Sequence, residues 1–243
     1  MNESTCHLAL ENLTREVDFN GHRRAIVDHF SFCFERGLIY NILGPSGAGK
    51  SSLLRLINRL DEATSGRVLF RGRDTKDIFP CELRLGIGYL FQSPHLFEGA
   101  IADNIRYARK DLSEGELLTV AAQVQIDRDM LDDAIDNLSI GEKQRVALAR
   151  LLATDPLVAL LDEPTSALDP TRTETIENTI KDIVTRRQLT VLMVSHDPAQ
   201  ALRMGGQALL MVKGRLMEHG TVEQVVKDPR SDDGRRYRDR ELT

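Results

Sequence analysis

The sequence predicts an α/β protein with a mostly parallel sheet and a helical block inserted into it. Three observations carry that expectation. Strand-like and helical segments alternate from residue 157 to 227, the pattern of βαβ units. Two segments, "GLIYNILG" (37–44) and "LVALL" (157–161), are almost wholly apolar, as strands covered on both faces are. A helical pattern over about 97–135 precedes that run and reads as a subdomain beside the sheet.

Bulk properties agree. The chain has 243 residues, 41% of them hydrophobic and 28% charged, which suits a soluble globular protein with an ample core. A net charge of -5 argues against a general nucleic-acid binder. Cys6, Cys33 and Cys81 are too few and too far apart for a disulfide framework or a zinc site, so a reduced, cytosolic setting is expected. No apolar run approaches the ~20 residues that span a bilayer, and "MNESTCHLAL" does not read as a signal peptide.

The elements follow in order. "FSFCF" (30–34) and residues 37–44 read as strands, and "GKSSLLRLINRL" (49–60) as a helix, with Leu53, Leu54, Ile57 and Leu60 at helical spacing. Short strands follow at 66–72 and 86–92, then the helical block, then an amphipathic helix at 142–153. Strand 157–162, helix 170–187, strand 190–195, helix 197–204, strands at 207–212 and 215–218, and a helix at 221–227 complete the core. Residues 229–243 mix both charges with almost no hydrophobes and read as a solvated, mobile tail.

The chemistry concentrates in four stretches. "GPSGAGKS", Gly44 to Ser51, fits G-x-x-x-x-G-K-[ST] between a strand and a helix. Its glycines let backbone amides turn toward phosphates, Lys50 brings a charge for the β- and γ-phosphates, and Ser51 offers a hydroxyl to Mg²⁺. "LVALLDEPTSALD" ends a buried strand in Asp162 and Glu163, at the edge where α/β sheets place ligands. Metal and hydrolytic water need separate carboxylates, which Asp162 and Glu163 supply; the plainer reading is a cap for the next helix. "VLMVSHD" delivers His196 to the same kind of edge, where a lone histidine is more often a cap or core residue. In "LSIGEKQR", Ser139 and Glu142 form either a capping box or the start of an anion site.

Together, "GPSGAGKS", "LSIGEKQR", "LLDEPTSALD" and "VSHD" resemble the nucleotide-binding subunit of an ATP-binding-cassette (ABC) transporter, over about residues 8–228. The resemblance implies a P-loop NTPase core with an N-terminal antiparallel β part, a cassette over 1–228, and a helical subdomain at about 93–153 after a Q-loop at Gln92. It implies ATP on Gly44, Pro45, Ser46, Gly47, Ala48, Gly49, Lys50, Ser51 and Ser52. Mg²⁺ falls to Ser51, Gln92 and Asp162, catalysis to Glu163 and His196, and the D-loop to 166–169, including Asp169. An aromatic near the N-terminus stacks on adenine in the family, and Phe19, with Val17 as the alternative, holds that place. Ser139, Gly141 and Glu142 would face the γ-phosphate of ATP bound to a second copy, in a head-to-tail dimer. The chain departs from the usual L-S-G-G-Q at Ile140, which adds bulk and removes backbone freedom, and at Glu142.

The implied partners are membrane permease subunits on a separate chain, a second copy of this one and, for an importer, a substrate-binding protein; no nucleic acid is expected. The implied location is cytoplasmic, at the inner face of the cell membrane. The rival is a soluble cassette acting on ribosomes or nucleic acid, which in the family carries long insertions or two cassettes per chain.

Overall fold

The computed structural model describes residues 6–19, 21–166 and 168–242. The chain opens with two long strands, β1 (Cys6–Phe19) and β2 (His22–Glu35), followed by β3 (Ile39–Leu43), α1 (Lys50–Ile57), β4 (Ser65–Phe70) and β5 (Arg73–Asp74). Next come α2 (Pro80–Gly86), β6 (Ile87–Leu90), α3 (Ile101–Arg106), α4 (Glu114–Gln123), α5 (Ile140–Ala153), β7 (Val158–Asp162) and α6 (Pro170–Arg187). The last elements are β8 (Thr190–Val194), α7 (Pro198–Met204), β9 (Gln207–Val212), β10 (Arg215–Thr221), α8 (Val222–Lys227) and α9 (Asp232–Arg238). None of the described helices is long and apolar enough to cross a membrane.

Two compact units divide the chain, one of residues 1–83 with 190–243 and one of residues 84–189. In the first, β2-β1-β4-β5 form an antiparallel sheet, and β10-β9-β3-β8 lie side by side with β3 parallel to both β8 and β9. Strands β3 and β8 are buried along their whole length, which is why they read as unbroken apolar runs. Asn41 is the polar exception in β3, and its amide donates to the carbonyls of Gly205 and Gln207 at 2.8 and 3.1 Å. In the second unit β6 and β7 pair in parallel.

The N-terminal hairpin is longer than the sequence suggests. Register shifts at Leu10/Leu13 and Leu13/Arg15 break its alternation, so the period-2 signal survives only around residues 30–34. The hairpin also joins Cys6 to Cys33 in a disulfide, with Cα atoms 5.6 Å apart. Separation along the sequence therefore misjudged this pair, because antiparallel pairing makes residues 27 apart into near neighbours.

The block at 97–135 is less continuously helical than its apolar spacing implies. It holds α3 and α4, and beyond them only short 3₁₀ turns at Arg128–Met130 and Ile135–Asn137. The segment read as a solvated tail contains α9. Glu218 anchors it, accepting from the amides of Arg230 and Ser231 at 2.7 and 2.9 Å and from the Ser231 hydroxyl at 2.6 Å. Tyr237 and Leu242 pack on a cluster that includes Leu43, Ala201 and Leu210.

Candidate functional site

In the first unit, buried β3 runs out at Leu43 and the chain turns through residues 44–49 into α1. Gly44 and Gly49 have φ of 148° and 98°, and a Cβ on either would lie 2.0 Å from the Met211 carbonyl oxygen or 2.2 Å from that of Ile26. No other residue fits at either point. Helix α1 starts at Gly49 without a side-chain cap, and its first turn points the positive end of the helix dipole back at the loop. Lys50 is buried and folds back over the loop, its Nζ donating to the carbonyls of Gly44 and Pro45 at 2.8 and 2.9 Å. Ser51 and Ser52 occupy the first turn of α1, half-buried.

His196 follows the parallel neighbour of β3. Ile42 pairs with Val194, so the loops after β3 and β8 leave the same edge. His196 is exposed between two fixed points. Ser195 is buried and donates to Gln200 Oε1 at 2.7 Å, while Asp197 caps α7 through the Ala199 amide at 2.9 Å. Sequence reading missed Ser195 and Gln200, whose only signal is a serine before the histidine. Phe19 ends β1 with two-thirds of its surface exposed, opposite His22, and Val17 is half-buried.

In the second unit, β7 delivers Asp162, buried, to its C-terminal end, and Glu163 follows with φ of 47°. A left-handed glutamate is strained, and such strain gathers where a side chain must be aimed. Tyr89 and Gln92 help to aim this pair. The Tyr89 hydroxyl on β6 donates to Asp162 Oδ2 at 2.9 Å, and Gln92 Nε2 donates to Glu163 Oε2 at 3.0 Å. Tyr89 was not singled out by sequence, because its bond crosses 73 positions. Ser166 also faces Gln92, at 3.4 Å.

The signature stretch forms a complete capping box. The Ser139 amide and hydroxyl both donate to Glu142 Oε2, at 2.8 and 2.6 Å, and the Glu142 amide donates back to Ser139 Oγ at 3.4 Å. The bond from the Ser139 hydroxyl holds the Glu142 carboxyl below its ordinary range, helped by the Ser139 amide and by nearby Arg145 and Arg172. Gly141 is buried and Ile140 lies half in solvent. Asp169 caps α6, accepting the Arg172 amide at 3.0 Å, and its other oxygen pairs with the Arg172 side chain at 3.2 Å. Of the expected D-loop, Ala167 lies outside the described residues. Among the described residues, no three His, Cys, Asp or Glu side chains converge to hold a metal by themselves.

Comparison with known proteins gives this geometry a family. The model described as ABC transporter matches residues 27–166. The chain is 41% identical over 215 residues to Protein STAR1 of Oryza sativa subsp. japonica, covering 87% of this chain and 62% of that protein's length. It is 37% identical over 249 residues to "Phosphate import ATP-binding protein PstB 2" of Mycobacterium tuberculosis, covering 95% of this chain and 87% of that one. Its fold is similar to the ATP-binding cassette MJ0796, solved as a dimer in a post-hydrolysis state with ADP and Pi, at a TM-score of 0.79 and 27% identity, covering 88% and 98% of the two chains. The chain belongs to the ABC transporter family, as one of its ATP-hydrolysing cassettes.

Proposed function

We propose that two copies of this chain close head to tail around two ATP molecules, that Glu163 drives hydrolysis in each, and that the cycle moves separate permease subunits. The amides of residues 44–52 and Lys50 would hold the phosphates, with Phe19 against adenine. Ser139, Gly141 and Glu142 of one copy would meet the γ-phosphate held by the other, and Asp169 would lie near that contact.

Ser51, Gln92 and Asp162 fit Mg²⁺ by donor chemistry: a hydroxyl, an amide oxygen and one carboxylate are all hard oxygens, and Mg²⁺ in nucleotide sites takes few carboxylates. Bound there, the ion would offset phosphate charge. Glu163 then orients or deprotonates the attacking water, and exposed His196, fixed from both sides, stabilises the transferred phosphoryl group.

The observation that carries this reading is the bond from Gln92 to Glu163, made to a residue in a left-handed conformation. It holds a carboxylate aimed beside the one suited to metal. The reported relatives lend nothing to the ribosome or nucleic-acid alternative, and one is named for phosphate import. An import role would add a substrate-binding protein to the partners, and the work would take place at the cytoplasmic face of the cell membrane.

Replacing the carboxylate tests it. Glu163→Gln should keep ATP binding, lower turnover about 10²- to 10⁴-fold as loss of a general base does, and accumulate an ATP-dependent dimer in sedimentation. Turnover equal to the unaltered protein would remove Glu163 from this role.

A further inference from the structure

Glu142 places a full negative charge where the proposed reading brings a triphosphate. A carboxylate there repels phosphate unless something nearby offsets it. A cavity of about 120 Å³ opens at this point, lined by Ser139, Gly141, Glu142, Arg145, Leu168 and Arg172. The Arg172 side chain lies across the first turn of α5: a Cβ on Gly141 would stand 3.0 Å from its Cδ and 3.6 Å from one terminal guanidinium nitrogen. Its Nε ion-pairs with Asp169 at 3.2 Å, half in solvent, while the Arg172 amide donates to the other Asp169 oxygen at 3.0 Å.

An internal control shows what such a box looks like without this arrangement. At the start of α4, Ser113 and Glu116 make the same capping box, but Arg109 ion-pairs directly with Glu116, and a Cβ on Gly115 would meet nothing within 4 Å. Among the described residues no arginine ion-pairs directly with Glu142; Arg145 and Arg172 both act on it from nearby, and Arg172 is the one that lies over the glycine.

We propose that Arg172 is an anion-recognising residue of the signature pocket, offsetting Glu142 and presenting its guanidinium to the phosphate tip brought by a second copy. The inference rests on the head-to-tail reading above. Pairing through Nε leaves the terminal nitrogens as donors, the arrangement in which a guanidinium recognises phosphate. Gly141 then serves two purposes, letting phosphate approach and leaving room for the arginine.

The test uses ATP-dependent dimerisation in the Glu163→Gln background, followed by sedimentation, alongside ATP binding to the monomer. Arg172→Ala should raise the ATP concentration for half-maximal dimerisation about tenfold, the scale of one close charge contact, with monomer binding unchanged. Arg172→Lys should recover most of that loss. Adding Glu142→Gln to Arg172→Ala should also recover much of it, because the charge needing an offset is gone. Dimerisation unaltered by Arg172→Ala, or a loss that Glu142→Gln does not relieve, overturns the proposal. If Glu163→Gln forms no ATP-dependent dimer even with Arg172 intact, the head-to-tail reading falls and this inference falls with it.

Discussion

Helices α4 and α5 start on the same pattern, Ser113-Glu114-Gly115-Glu116 and Ser139-Ile140-Gly141-Glu142, and their backbones treat it alike. The serine hydroxyl donates to the glutamate at 2.7 Å in one and 2.6 Å in the other, and the returning amide bonds are 3.3 and 3.4 Å. What differs is the surroundings. Gly115 is exposed with open space over it and its glutamate is neutralised by an adjacent arginine, whereas Gly141 is buried beneath Arg172 and Leu168. A local motif thus specifies how a helix begins, and tertiary neighbours decide whether that beginning also meets a ligand.

The comparison is sharpest in activity. Ser139→Ala should cut ATPase turnover tenfold or more, whereas Ser113→Ala should leave it within about twofold, each costing about 1 kcal/mol of stability as a lost cap. Equal turnover in the two variants, measured by phosphate release, would erase the functional distinction between the helices.

A smaller effect separates the glycines. Gly115→Ala should stabilise the protein by about 0.5–1 kcal/mol, since alanine suits a helix better and has room. Gly141→Ala should gain less than Gly115→Ala, because the new methyl meets the Arg172 Cδ at 3.0 Å and that side chain must give way. Urea unfolding of both variants reads the difference.

The smallest effect is in acid. The Ser113 hydroxyl, the Ser113 amide and Arg109 lower the Glu116 carboxyl from 4.5 to about 2. A depressed folded-state value means the contribution is complete above pH 4.5 and is lost as pH falls from there toward 2. Glu116→Gln should flatten the stability profile slightly in that window, and above pH 4.5 should lower stability by a constant amount without changing the slope. A profile with the same slope as the parent would show that this box does not titrate as a unit.

These contrasts also mark what could be read from the sequence. The loop from Gly44 to Ser51 was legible because its chemistry is local: consecutive residues make the turn, the amides and the lysine. Asp162 and Glu163 were legible because a buried strand ends on them. Tyr89, Ser195 and Arg172 were not, since each acts through a partner that only folding brings near. The hairpin of β1 and β2 hid behind its register shifts, and the Cys6–Cys33 pair behind the hairpin. Helix α9 hid behind its charges, because composition counts the arginines and aspartates and misses one tyrosine and one leucine that reach the core.

The anchoring of α9 has a practical consequence for anyone shortening this chain. Cutting before Arg230 would strip a mostly buried carboxylate, Glu218, of three donors at once and bare the patch that Tyr237 and Leu242 cover. That patch includes Leu43, the last strand residue before the phosphate loop begins. The smallest piece that keeps this support intact therefore runs on through residue 242, well past the last recognisable motif.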